Sequence, residues 1–157
     1  MNARHLEAFV APAVHVLAKM ARTEVRAGEV SARAPSLGGE SVSVVIGLNG
    51  GISGTFVLTA ARREAWALAG LILGGPPEDE ARDEVLDVLS ELANVIAGNA
   101  TGRLYELGVS EGITPPTVVT GPAVGLDFTR GAETVHVPLE TRAGTLEMVL
   151  SIFEENA

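Results

Sequence analysis

Apolar side chains recur every three to four positions along residues 83–107. At about 100° per residue, Val85, Leu89, Leu92, Ala93, Ile96, Ala100, Leu104 and Leu107 fall within one sector. This spacing predicts one long helix from Asp83 to Leu107. Residues 6–21 repeat the pattern, with Phe9, Ala13, Val16, Leu17 and Met20 on one face. Pro12 fits that helix best if it begins only a few residues earlier, and kinks it otherwise. A further helix is expected from Ala60 to Leu73, with Trp66, Leu68, Ala69 and Ile72 apolar. The period changes in SVSVVIGL (41–48) and TFVLTA (55–60), which read as strands. Between them NGGISG (49–54) opens with Asn49-Gly50, a hairpin signal. Residues 117–121, 133–140 and 144–153 read as three more strands, with a turn at Arg142-Ala143-Gly144. TEVRAGEVSARA (23–34) alternates weakly around Gly28, as an exposed strand pair or one bulged strand would. GGPPEDE (74–80) is a turn or helix entry.

The expected class is α+β, one domain over residues 1–157 with helices on a mixed or antiparallel sheet. IGLNGGISGTFVLT (46–59) and VPLETRAGTLEMVLS (137–151) both run strand, turn, Gly-Thr, apolar strand. Each also follows a helix and an earlier strand. This echo suggests two α-β-β-β halves sharing one sheet; the alternative is that two hairpins simply look alike.

Composition narrows the function. The 157 residues are 46% hydrophobic with a mean hydropathy of +0.29, so the chain can bury a core. A net charge of −9 with 11 basic residues argues against nucleic acid and anionic membrane surfaces. The absence of cysteine excludes disulfides, thiolate ligands and a thiol nucleophile. No apolar run approaches the ~18 residues that span a bilayer, and MNARHLEAF lacks the layout of a signal peptide. A cytoplasmic protein whose partner supplies positive charge is expected.

The polar side of the long helix is the candidate site. It carries Asp87, Glu91, Asn94, Gly98, Thr101 and Tyr105. Glu91 and Asn94, three residues apart, are neighbours on that face. Gly98 and Gly102 lie one and two turns beyond and present nearly bare backbone. Each glycine costs the helix roughly 1 kcal/mol against alanine. A merely solvated face would more readily carry Lys, Glu or Ala, so the glycines point to a surface that another molecule approaches closely. Other candidates are weaker. His5, His15 and His136 lack ligand spacing and fit core or surface positions. GLNGGISG has neither the context nor the spacing of a nucleotide loop, and Ser53 sits in no nucleophile elbow. EDEARDE (78–84) suits a solvated helix start favoured by the dipole. Trp66 suits the core. Lys19 is the single lysine, so a phosphate site is better supplied by a partner.

Asp87-x3-Glu91-x2-Asn94-x3-Gly98, preceded by strand-turn-strand and followed by a proline pair, resembles the CheC/CheX/FliY family of chemotaxis phosphatases. VSVVIGLNGGISGTFVLT, ELANVIAGNATGRL, TPPTVVTG and VPLETRAGTLEMVLS extend the likeness to CheX over nearly the whole chain. The single Glu-x-x-Asn copy matches CheX, since CheC-like members typically carry two. Two departures stand out. Thr117 occupies a position where the family pattern has proline, with Pro115 and Pro116 just before it. Glu7-Ala8-Phe9 stands where relatives often have Asn-Pro-Phe.

The resemblance implies a CheC-like fold and a phosphatase acting on the phosphorylated response regulator CheY, which carries its phosphoryl group on an aspartate beside bound Mg²⁺. In this chain Asn94 would hold the attacking water in line and Glu91 would pair with a lysine of the partner. Asp87, Gly98 and Thr101 would support docking. The protein would bring no cofactor of its own, the Mg²⁺ belonging to the receiver. The resemblance also implies a homodimer. GTLEMVLSIF (144–153) is apolar almost continuously at its end, as suits a strand buried on both faces or paired across chains. A two-fold dimer through strand contacts is therefore expected, with the Glu91/Asn94 face outward on each subunit. The alternative function is a non-catalytic module of this type that binds a receiver or a flagellar-motor component.

Overall fold

The computed structural model describes residues 1–33, 39–122 and 132–155. Helix α1, Ala3–Ala21, starts at Asn2, whose side chain accepts from the Arg4 N–H at 2.8 Å. It ends at Arg22, held in the left-handed region at φ 51°. Pro12 therefore sits in mid-helix and not near its start; its ring is buried. Strands β1 (Arg26–Ala27), β2 (Glu40–Asn49) and β3 (Ile52–Ala61) follow, then helices α2 (Arg62–Leu73) and α3 (Arg82–Glu106). Strands β4 (Thr117–Pro122), β5 (Glu133–Thr141) and β6 (Gly144–Glu155) complete the order. The helix expected from Ala60 begins at Arg62, because Ala60 and Ala61 pair with β2 as the end of β3.

All six strands form one sheet in the order β1-β5-β6-β3-β2-β4, antiparallel at every pairing. Exchanging β1 with β4, β2 with β5 and β3 with β6 reverses that order and leaves it otherwise unchanged. Two α-β-β-β units thus meet at the β3–β6 pair, α1 heading the first and α3 the second, with α2 inserted between them. The units are not equal. The stretch over 23–34 is not a strand pair. It follows β5 as one interrupted edge strand with a bulge, the four-residue step from Ala27 to Ser31 standing against the three-residue step from Leu139 to His136. It bonds β5 at Arg26–Ala27, through Gly28 N–H to Pro138 O at 2.8 Å, and again at Ser31 opposite His136. Ala34 lies outside the described residues.

Strand β6 lies between β5 and β3 and is paired on both sides. Its apolar run is explained by this central place, so it offers no free edge to a second chain. The apolar run of β6 therefore gives no support to strand pairing across chains. The edges are β1 and β4.

One face of the sheet is covered by the helices. Val42, Val44, Ile46 and Leu48 of β2, Phe56 and Leu58 of β3, and Leu146, Met148 and Leu150 of β6 are buried there with Phe9, Val16 and Leu17 of α1. The Phe9 and Phe56 rings stand 5.6 Å apart, joining α1 to the centre of the sheet. Trp66 is buried, gives its indole N–H to the Glu78 carbonyl at 3.1 Å, and stacks under Arg62.

Candidate functional site

The buried sector of α3 is Val85, Leu89, Leu92, Ala93, Ile96, Ala97, Ala100 and Leu104. It packs against α1, α2 and β2. This is the sector that the periodicity marks, except that Ala97 joins it and Leu107 caps the helix and is only half-buried. Burial of so many apolar side chains outweighs the poor helix propensity of the other face.

Contacts at both ends hold α3 in place. At its start, the Arg82 guanidinium donates to Thr120 Oγ1 of β4 at 2.5 Å and approaches the Glu40 carboxylate of β2 at 4.0 Å. At its end Gly108 turns the chain at φ 86°, and the Val109 N–H returns to the Leu104 carbonyl. The next residues lie along the tip of the β2–β3 hairpin. Asn49 N–H donates to Gly112 O at 3.0 Å, Gly51 N–H to Ser110 O at 2.9 Å, and Ile52 N–H to Glu111 Oε2 at 2.9 Å. Contact here is so close that a Cβ on Gly50 would stand 2.6 Å from the Ser110 carbonyl oxygen. Desolvation pushes the Glu111 carboxyl above the usual carboxylate range, against the opposing pull of its backbone donors. Sequence reasoning missed this clamp. Its only signal is the glycine pair at 50 and 51, which reads as turn chemistry, whereas neither residue adopts positive φ.

Between these anchors the outer face is open. Asp87, Glu91, Asn94 and Gly98 are exposed and Thr101 is half-buried. Glu91 and Asn94 project side by side midway along the helix, their Cβ atoms about 5–6 Å apart by helical geometry. No described residue occupies the side chains of Asp87, Glu91 or Asn94 with a hydrogen bond or ion pair. A Cβ built on Gly98 or Gly102 meets nothing within 4 Å. These glycines therefore answer no packing demand inside the protein.

The polar residues beside them turn inward. Asn99 donates to the Val95 carbonyl at 2.8 Å, and the Thr101 hydroxyl donates to Gly98 O at 2.7 Å. Thr101 thus serves the helix backbone with its proton and keeps only acceptor capacity for a partner. Tyr105 lies on the same stripe and is 74% exposed; the sequence placed it on the polar side without assigning it a role.

Among the described residues, no three His, Asp or Glu side chains gather as metal ligands would. The face is also convex. The outer side of a helix cannot enclose a small molecule, but it can enter the cleft of another protein.

The family model for the chemotaxis phosphatase CheX matches residues 42–140, from the start of β2 to β5 and across all of α3. The chain belongs to the CheX family. It is 29% identical over 121 residues to the CheY-P phosphatase CheX of Thermotoga maritima, covering 77% of this chain and 78% of that one. The crystal structure of the CheX–CheY–BeF3–Mg²⁺ complex from Borrelia burgdorferi superposes with a TM-score of 0.85 at 27% identity, covering 96% of this chain and 98% of that one. A CheC-like superfamily protein from Shewanella sp. PV-4 gives the same TM-score at 24% identity, over 97% and 99% of the two chains. No described helix is long and apolar enough to cross a membrane.

Proposed function

We propose that this protein hydrolyses the aspartyl phosphate of a phosphorylated CheY-like receiver domain, using Glu91 and Asn94 on the outer face of α3. The observation that carries this reading is the pair itself. In a CheX-family chain, an acid and a carboxamide stand side by side and unpartnered on a rigid helix. Water attacks phosphorus, the bond to the aspartyl oxygen breaks, and the carboxylate leaves without needing a proton. Inorganic phosphate forms and takes up the remaining charge and proton with solvent. The transition state of such a transfer is loose, so water position and electrostatics supply most of the acceleration.

Asn94 offers both a donor and an acceptor, which suits it to holding the water in line without abstracting its proton. Glu91 is the docking residue, pairing with a cation of the receiver site. Asp87, one turn earlier, adds to the same field, and the exposed backbone at Gly98 admits the receiver's loops. Thr101 contributes an acceptor oxygen at the margin. The Mg²⁺ of the reaction belongs to the receiver, and the protein brings no cofactor of its own. Such a partner places the protein in the cytoplasm.

The test is phosphate release from a phosphorylated receiver with and without the protein. Asn94→Ala is expected to lower the acceleration by ~10² or more, as loss of a positioning group does, with a melting temperature no lower than the wild type's, because the side chain is exposed and alanine is the better helix former. A variant with wild-type rates would remove Asn94 from the mechanism. Receivers whose phosphate loss is never accelerated by the wild type would favour a binding module.

A further inference from the structure

Resting on the reading that α3 docks a receiver, we infer that the docking surface continues along the helix to Tyr105, which serves as its apolar anchor. Tyr105 is eleven residues beyond Asn94, about 20° round the helix and about 16 Å along it. It therefore lies on the same stripe three turns away. At 74% exposed it is the most exposed large hydrophobic side chain of the described residues. It is also the only tyrosine in a chain with 4% aromatic residues.

The stretch between the pair and the tyrosine is shaped for contact. On the stripe itself the exposed positions are Gly98 and Gly102, with open space where a side chain would be, while the exposed Asn99 and Arg103 lie about 100° or more round the helix from the line joining Asn94 to Tyr105. The Thr101 hydroxyl is folded back onto Gly98 O. No charged side chain lies in this sector between Glu91 and Tyr105. The other half of the stripe is acidic, with Asp83, Asp87 and Glu91. A partner that places a cation against Glu91 must therefore lay an uncharged surface along the glycines and reach Tyr105. The receiver domain is the occupant that this polarity fits, because the acidic half is already assigned to it. A tyrosine gives large contact area at small entropic cost and is enriched among residues that dominate binding.

The experiment uses a receiver that the wild type dephosphorylates, once with its phosphoryl group and once activated with beryllofluoride. Tyr105→Ala is expected to raise KM and the dissociation constant about tenfold or more. Its kcat, its salt dependence of binding and its melting temperature should stay those of the wild type. Tyr105→Phe should restore most of the affinity. Asn94→Ala, measured alongside, should lose kcat instead.

Wild-type KM in Tyr105→Ala, with an active wild type, overturns the inference and leaves the proposed function standing. An inactive wild type that also fails to bind the activated receiver overturns both. A Tyr105→Ala protein with altered self-association by sedimentation but unchanged receiver affinity assigns the face to a second copy, and equally overturns the inference.

Discussion

At the scale of single residues, the question is why α3 accepts glycines at positions 98 and 102. Both are exposed and unopposed, so neither allows a close internal approach or a positive φ. This separates them from Gly50, Gly54 and Gly144, whose missing side chains are required by the fold. Gly98→Ala is therefore expected to stabilise the protein by ~0.5–1 kcal/mol, the usual helix gain. The same methyl group stands where the receiver would lie, so KM for the phosphorylated receiver should rise. Urea denaturation and steady-state phosphate release read the two effects separately. Unchanged KM with the expected stability gain would show that the partner does not touch this part of the helix. The Glu-Asn pair was legible because a 3.6-residue period places both on the polar side, and the family likeness supplied their roles. The inward turn of Thr101 was not legible, since a threonine in sequence shows no preference between solvent and the carbonyl three residues back.

At the scale of elements, the sequence echo between the two hairpins hides different causes. Gly54-Thr55 and Gly144-Thr145 look equivalent, but Gly144 is in the left-handed region at φ 129° with Glu64 of α2 against it. Gly54 sits at a register shift between β3 and β6, where an added Cβ would stand 1.9 Å from the backbone oxygen of Ser151. No rotamer change can relieve that contact. Gly54→Ala is expected to cost about 3 kcal/mol or more, at the upper end of overpacking effects, measured as a lower urea midpoint. A change under about 1 kcal/mol, small beside a typical overpacking cost, would mean that the two central strands slide freely there. The duplicated architecture was correctly suggested by the echo, yet what supports it is the reversal of strand order, which pairing alone reveals. The place of β6 shows the same limit. A continuous apolar run reports burial on both faces or an interface equally well, and only the neighbours on either side distinguish them. Most ends of the strongly periodic elements were located to within two residues, but α1 and β3 each begin three residues before the expected start. The weak alternation over 23–34 was not resolved, because short edge pairing leaves almost no pattern.

At the scale of the whole molecule, the helices cover one side of the sheet, and the other side buries polar groups. Glu147 of β6 lies opposite Thr59 of β3 and Pro138 of β5, only 7% exposed. His136 of β5, 8% exposed, is its diagonal neighbour, and its Nδ1 has no partner among the described residues. The two respond to burial in opposite directions. Desolvation raises the Glu147 pKa and lowers that of His136. A raised carboxyl pKa means that the folded state holds its proton longer than the unfolded chain. Its contribution is present below the usual carboxylate range and is lost as pH rises through the folded pKa. Glu111 acts in the same sense. A lowered histidine pKa works the other way: its contribution is present above about pH 6.5 and is lost as pH falls through the folded pKa. Glu147→Gln isolates one of these effects, since it keeps the shape and removes the titration. The variant is expected to gain stability over the wild type at pH 8, and the gain should shrink towards pH 4, where the wild-type carboxyl is protonated. Thermal melts of both proteins across this range provide the measurement. A stability difference that stays constant with pH would mean that Glu147 ionises in the folded protein as it does in the unfolded chain, and that this face of the sheet is well solvated around it.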